Sequence, residues 1–127
     1  MGVVLDTSVL IDLLRGGATD PSLLDPAREP VMISAVSVHE VLAGMRPGEE
    51  EQTWGLLSSF VVVPYGLDEA EMSARWQSEY RSTGATLDIA DLAIAATAAI
   101  RNLPVATGNV KDFPMPELRV EHWPPHR

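Results

Sequence analysis

The chain has 127 residues, no cysteine, a hydrophobic fraction of 46% and a formal net charge of −9. That length suits one domain with one core, the ordinary apolar fraction argues against a disordered tail or a coiled coil, and the lack of thiols excludes disulfides and thiolate metal sites. Nine basic residues against eighteen acidic ones disfavour indiscriminate nucleic-acid binding, which relies on Lys and Arg neutralising phosphates; contact with nucleic acid would need a local basic rim and a cation, and part of the acidity could attract a basic partner.

The elements follow from local pattern. Val3 to Leu5 reads as a buried strand and Ser8 to Arg15 as a helix stopped by Gly16 and Gly17. "ATDPSLLDPAREP" reads as a short helix between turns, with Asp20 as an N-cap before Pro21. "VMIS" (Val31 to Ser34) is a second strand. "SVHEVLAGMRPG" is a helix opened by Ser34 or Ser37 and ended near Pro47 and Gly48. "EEEQTWGLLSSF" is another helix, with acids in its first turn as the helix dipole favours. "FVVVP" is a strand, and "DEAEMSARWQSEYRSTG" and "TLDIADLAIAATAAIRN" are helices. "PVAT" is a fourth strand and "LRVEHW" a candidate fifth.

No segment approaches the roughly 18 to 20 apolar residues of a membrane span; "LAIAATAAI", Leu92 to Ile100, falls well short. The N-terminus carries no basic stretch of a signal peptide. A cytoplasmic location without membrane contact is therefore expected.

Strands alternating with helices imply crossover connections and an α/β fold whose mainly parallel sheet is covered on both faces. Ligands of such sheets bind outside the C-terminal ends of the strands. Four places put an acid or amide at that mouth, or on a helix beside it. Asp6 follows the first strand, with the hydroxyls of Thr7 and Ser8 beside it; helix capping explains it as readily as a functional role. Glu40 lies among Val36, Val38, Val41 and Leu42, where an unpaired Glu at the edge of the stripe would reach for water. Asp91 opens the Ala-rich helix, with Asp88 three residues earlier as a natural N-cap. Asn109 and Asp112 follow Thr107 and Gly108 in "PVATGNVKDF".

Carboxylates that converge without cations repel and raise one another's pKa. No Lys or Arg accompanies the first three in local sequence, and Lys111 is near only the last. A divalent cation is the economical remedy, and an all-oxygen ligand set favours Mg²⁺ or Mn²⁺ over Zn²⁺.

These blocks resemble the PIN-domain family, and within it the VapC-type toxins of bacterial VapBC toxin–antitoxin pairs. "VVLDTSVLID", "SAVSVHEVLAG", "DIADLAIAATA" and "ATGNVKDF" resemble the family's four blocks in order and at the usual separations. The resemblance implies a PIN-like three-layer α/β/α sandwich with a four- or five-stranded sheet, spanning 1–127 as a single domain. It implies a Mg²⁺-dependent endoribonuclease, with Mn²⁺ as a substitute, an RNA substrate, a VapB-like antitoxin and a homodimer. By position, Asp6, Glu40 and Asp91 match the first three family acids. The fourth falls in the block that holds both Asn109 and Asp112, of which Asp112 is favoured because it is charged. Ser8 stands where many relatives have Asn, and its hydroxyl can still hold a carboxylate or a water. Asp6 and Asp91 would be the main metal ligands. Glu40 and Asp112 would complete the catalytic pocket, and Thr7, Ser8, Thr107 and Asn109 would support it.

Two other classes compete with this reading. An aspartyl-phosphate phosphotransfer domain also places an Asp after an early parallel strand, and a non-catalytic PIN-like interaction module would need no metal. Arg15, Arg46 and Lys111 are candidates for a basic rim. His39 projects about 100° away from Glu40 around its helix and reads as a surface residue. His122 and His126 lie in the Pro-rich tail. Trp54, Trp76 and Trp123 read first as packing residues, and Asp12 as a helix-surface acid.

Overall fold

Val4 is buried on one face of the first strand, and Val3 and Leu5 on the other, as the two-residue period of a strand requires. The same alternation places Ile33 and Ala106 with Val3 and Leu5, and Val105 with Val4. The computed structural model, which describes residues 2–16 and 28–124, shows how this alternation builds two cores. One lies under Trp76, Leu92, Ile94, Phe113 and Met115. The other lies under Val9, Leu10, Val41, Leu57 and Trp123. The result is a three-layer α/β/α sandwich, as expected.

The described elements run β1 (Val3–Leu5), α1 (Thr7–Leu14), β2 (Val31–Ser34), α2 (Ala35–Ala43), α3 (Glu50–Leu57), β3 (Val61–Val63), α4 (Leu67–Ser82), α5 (Ile89–Ile100), β4 (Val105–Thr107) and β5 (Val120–His122). The sheet has five strands in the order β3-β2-β1-β4-β5. Every pairing is parallel. The expected fifth strand is thus present. Of the stretch 18–30, where a short helix is expected, residues 18–27, with the cap at Asp20, lie outside the described residues, as does His126.

Chain progression from β1 to β2 to β3 fills one side of β1, whereas β4 and β5 fill the other. The order therefore reverses between β1 and β4, and the crevice at their C-terminal ends is the natural binding place in an open α/β sheet. Asp6 directly follows β1, and Thr107 ends β4.

Local chemistry sets the helix boundaries. The Ser34 hydroxyl accepts from the Val36 N–H at 3.1 Å and opens α2. Asp88 accepts from the Ala90 N–H at 2.8 Å and opens α5, as its sequence position suggests. Helix α2 stops at Gly44, several residues short of the expected end near Pro47 and Gly48. Glycine is a poor helix former, and Pro47 disfavours the helical conformation at Arg46. The "GNVKDF" segment, a plain turn by its composition, contains a short 3-10 segment, Val110–Asp112. Buried Phe113 and Met115 anchor it. Val61 and Val62 are exposed because β3 is an edge strand. No helix among the described residues is long and apolar enough to cross a membrane.

Helix α5 carries the third acid block. Ala93, Ala95, Ala96 and Ala98 are wholly buried, so small side chains let the helix lie close in its layer. At its far end Arg101 Nη1 donates to Glu69 Oε2 at 2.9 Å and to the Thr97 carbonyl at 3.0 Å. Near its start the Ser73 hydroxyl meets the Leu92 carbonyl at 3.3 Å. Enlarging the packed face should displace the helix. Ala95→Leu is expected to lower stability by about 1–3 kcal/mol, the usual cost of overpacking, read as a reduced urea midpoint with an unchanged slope.

Candidate active site

Asp6 begins the site. It is the N-cap residue of α1 and is only 5% exposed. Its Oδ1 accepts from the Thr7 N–H at 2.8 Å. Its Oδ2 accepts from two hydroxyls, Ser8 Oγ at 2.8 Å and Thr107 Oγ1 at 2.7 Å. Capping and a place at the mouth are therefore not alternatives, since one carboxylate does both.

The two hydroxyls are themselves held. The Gly108 N–H donates to Ser8 Oγ at 3.1 Å, and the Asn109 N–H donates to Thr107 Oγ1 at 2.9 Å. Each hydroxyl thus accepts a hydrogen bond from the backbone and donates one to Asp6. Residues 100 or more positions apart in the chain meet here, because β1 and β4 are neighbours in the sheet.

Thr7 turns the other way. Its Oγ1 lies 2.7 Å from Glu40 Oε1 and 2.9 Å from Ser37 Oγ. A carboxylate only accepts, so the single Thr7 proton goes to Glu40 and the Ser37 hydroxyl supplies the proton of the Thr7–Ser37 contact. Glu40 is exposed as a residue, in keeping with the edge of an apolar stripe, yet its head is held against α1. Ser37, which the sequence offers only as an alternative cap to Ser34, is instead fully buried inside α2 and backs Thr7. Its signal was available, since it sits three residues before Glu40 on the same side of α2.

Asp91 and Asp112 are half-buried, and Asn109 is exposed. The Asp91 carboxyl is pushed up to about 7, first by burial, then by the charges of Asp6, Asp112, Asp88 and Glu40. The charges of the other three carboxylates expected from sequence, and of the capping Asp88, thus reach Asp91. Asn109 enters through its backbone N–H rather than its side-chain amide.

The donors fit a hard divalent cation. Among the described residues no three acidic or imidazole side chains stand ready to hold an ion unaided. Mg²⁺ characteristically keeps several waters and takes only one or two carboxylates directly. A cation also relieves the repulsion that drives the Asp91 carboxyl upward.

Elsewhere the expectations divide. Arg15 is engaged in an ion pair with Glu49, joining the end of α1 to the start of α3, so its charge is partly neutralised as a rim cation. Lys111 is exposed in the turn beside Asp112. His39 is exposed, as expected. Trp76 and Trp123 are core residues, whereas Trp54 is half exposed. Asp12 is not a plain surface acid: its Oδ2 accepts from Trp123 Nε1 at 2.8 Å.

A wholly parallel sheet with acids gathered at its switch point defines a class of α/β proteins, and the PIN-domain family profile matches residues 3–114. The chain belongs to the PIN-domain family. It is 38% identical over 115 residues to ribonuclease VapC10 of Mycobacterium tuberculosis, covering 89% of this chain and 86% of that protein. It is similar to a chain of a toxin–antitoxin complex from Klebsiella pneumoniae, with TM-score 0.73, 32% identity and coverage of 92% and 95% of the two chains. A chain of DNA-bound VapBC from Salmonella typhimurium shares the fold, with TM-score 0.81, 23% identity and coverage of 97% and 98%.

The Asp91 environment predicts a pH dependence of the metal-free protein. Unfolded, this carboxyl titrates near its ordinary 3.8; folded, it titrates near 7. The folded state holds the extra proton between those values, so this contribution to stability is fully present below 3.8 and is lost as pH rises through 7. Thermal melts in chelator should show wild type losing stability over that window relative to Asp91→Asn, which cannot titrate.

Proposed function

We propose that this PIN domain is a divalent-metal-dependent endoribonuclease of VapC type, the toxin of a type II toxin–antitoxin pair. The observation that carries the reading is the gathering of Asp6, Glu40, Asp91 and Asp112 at one mouth, with Asp91 pushed up to about 7 by burial and by its neighbours' charge. The ribonuclease name of a relative 38% identical supports the same reading.

Asp6 and Asp91 would hold the ion, directly or through water. Bound there, Mg²⁺, with Mn²⁺ as substitute, would supply a water of lowered pKa and positive charge against the phosphate oxygens. Ser8 and Thr107 orient Asp6 by donating to Oδ2 without neutralising it. Thr7 grips Glu40 Oε1, which leaves Oε2 to accept a proton from the attacking water. Asp112 completes the acidic wall, while exposed Lys111 beside it and Arg46 meet the RNA backbone. The whole chain, 1–127, acts as one domain in the cytoplasm, pairs with a second copy and is inhibited by a VapB-like antitoxin; the solved relatives described as VapBC and toxin–antitoxin complexes support that partner.

Asp6→Asn and Asp91→Asn should each reduce Mg²⁺-dependent RNA cleavage by roughly 100-fold or more, the scale of losing an acid–base or charge-stabilising group. The measurement is end mapping of cellular RNA after incubation with each purified protein, with Mg²⁺ or chelator. Wild-type cleavage by both variants would overturn the assignment. An acid-labile phosphate on Asp6 after acetyl phosphate treatment would point to phosphotransfer instead. No thermal stabilisation by Mg²⁺ or Mn²⁺ would point to an interaction module.

A further inference from the structure

The bond between Asp12 and Trp123 belongs to a closed circuit that runs through the site. Asp6 Oδ2 accepts from Thr107 Oγ1 at 2.7 Å. The Thr107 carbonyl accepts from the Trp123 N–H at 2.7 Å. Trp123 Nε1 donates to Asp12 Oδ2 at 2.8 Å. Asp12 lies on α1, four residues after Ser8, so the two share a helix face. Ser8 Oγ closes the circuit by donating to Asp6 and accepting from Gly108.

Gly108 is exposed but borders this circuit. A Cβ there would lie 3.5 Å from Ser8 Oγ and 3.7 Å from the Trp123 carbonyl. The Trp123 indole is buried with Val9 and Leu10 of α1 and with Leu5 and Ala106 of the sheet. Its ring therefore spans from the end of β5 to α1, and its N–H is satisfied by Asp12. Trp123 also lies beyond the residues that the PIN-domain profile matches.

We propose that Asp12 and Trp123 are positioning residues that clamp the Thr107–Gly108 turn against α1, keeping the Ser8 and Thr107 hydroxyls aimed at Asp6. The inference rests on the nuclease reading for its consequence but not for its geometry. Loosening the clamp should let the turn drift from α1, so that Asp6 is held by fewer donors. Groups that orient a metal ligand from behind typically change metal affinity or activity by 10- to 100-fold when lost. The clamp acts one bond further out, so the lower end applies.

Three variants separate positioning from general packing. Trp123→Phe keeps most of the apolar bulk and removes the N–H. Asp12→Ala removes the acceptor. Asp12→Asn keeps an amide oxygen that can accept. In the metal-free protein, the Gly108 and Asn109 amide resonances should shift in Trp123→Phe and Asp12→Ala and return towards wild type in Asp12→Asn. Mn²⁺ affinity by calorimetry should fall about tenfold in the first two, with a matching fall in kcat for RNA cleavage, unchanged KM, and recovery in Asp12→Asn. Unmoved amide resonances would overturn the clamp. So would a lowered melting temperature accompanied by wild-type Mn²⁺ affinity and kcat, since packing alone would then account for both residues. If the wild type itself neither binds Mn²⁺ nor cleaves RNA, the nuclease reading fails, and the metal-free amide comparison still decides the clamp.

Discussion

Negative charge gathered where the sheet reverses its strand order is the constraint on which the site depends. Burial first, and then the charges of four neighbouring carboxylates, raise the Asp91 carboxyl to about 7. Several of the chain's arginines are engaged elsewhere: Arg15 with Glu49, Arg28 with Glu121 and Arg101 with Glu69. The mouth keeps its charge, and a cation from solution is the chemically matched partner. The fold bears the repulsion because the elements behind the acids are well anchored, α5 by a wholly buried alanine face and α1 by Val9 and Leu10.

The groups that hold the acids are hydroxyls and backbone N–H groups. A Lys or Arg against Asp6 would orient it but would also compete with a metal for its charge. Ser8 and Thr107 orient the carboxylate and leave the charge in place. Thr7 does the same for Glu40, with buried Ser37 behind it. The Ser8 and Thr107 hydroxyls each accept from a backbone N–H and donate to Asp6, so the rigidity of the backbone reaches that carboxylate. The Trp123–Asp12 bond extends that rigidity to the last strand and back to α1.

Much of this was legible in the residues. The apolar triplet of β1, the short β4 strand ending in Thr107, the caps at Ser34 and Asp88, and the acids at Asp6, Glu40, Asp91 and Asp112 all stand out by local pattern and place. Asp12 looks like a plain surface acid in the sequence, because nothing near it reveals an indole 111 positions away. Ser37 reads only as an alternative cap to Ser34, because a serine in an apolar helix shows no further role until its partner on α1 is known. The 3-10 segment at Val110–Asp112 was hidden inside a generic turn composition and is set by the burial of Phe113 and Met115 after it.

The amino-acid sequence by itself determined the elements, because period, caps and breakers act over a few residues. It also determined the inventory of acids and the scarcity of cations, because composition does not depend on shape. Only the tertiary structure decided the strand order β3-β2-β1-β4-β5, and with it the meeting of Asp6 and Thr107 across 101 positions. Parallel pairing between strands joined by long crossovers is settled by the burial of both faces of the sheet at once. That collective packing, which no short stretch encodes, turns scattered carboxylates into one charged mouth.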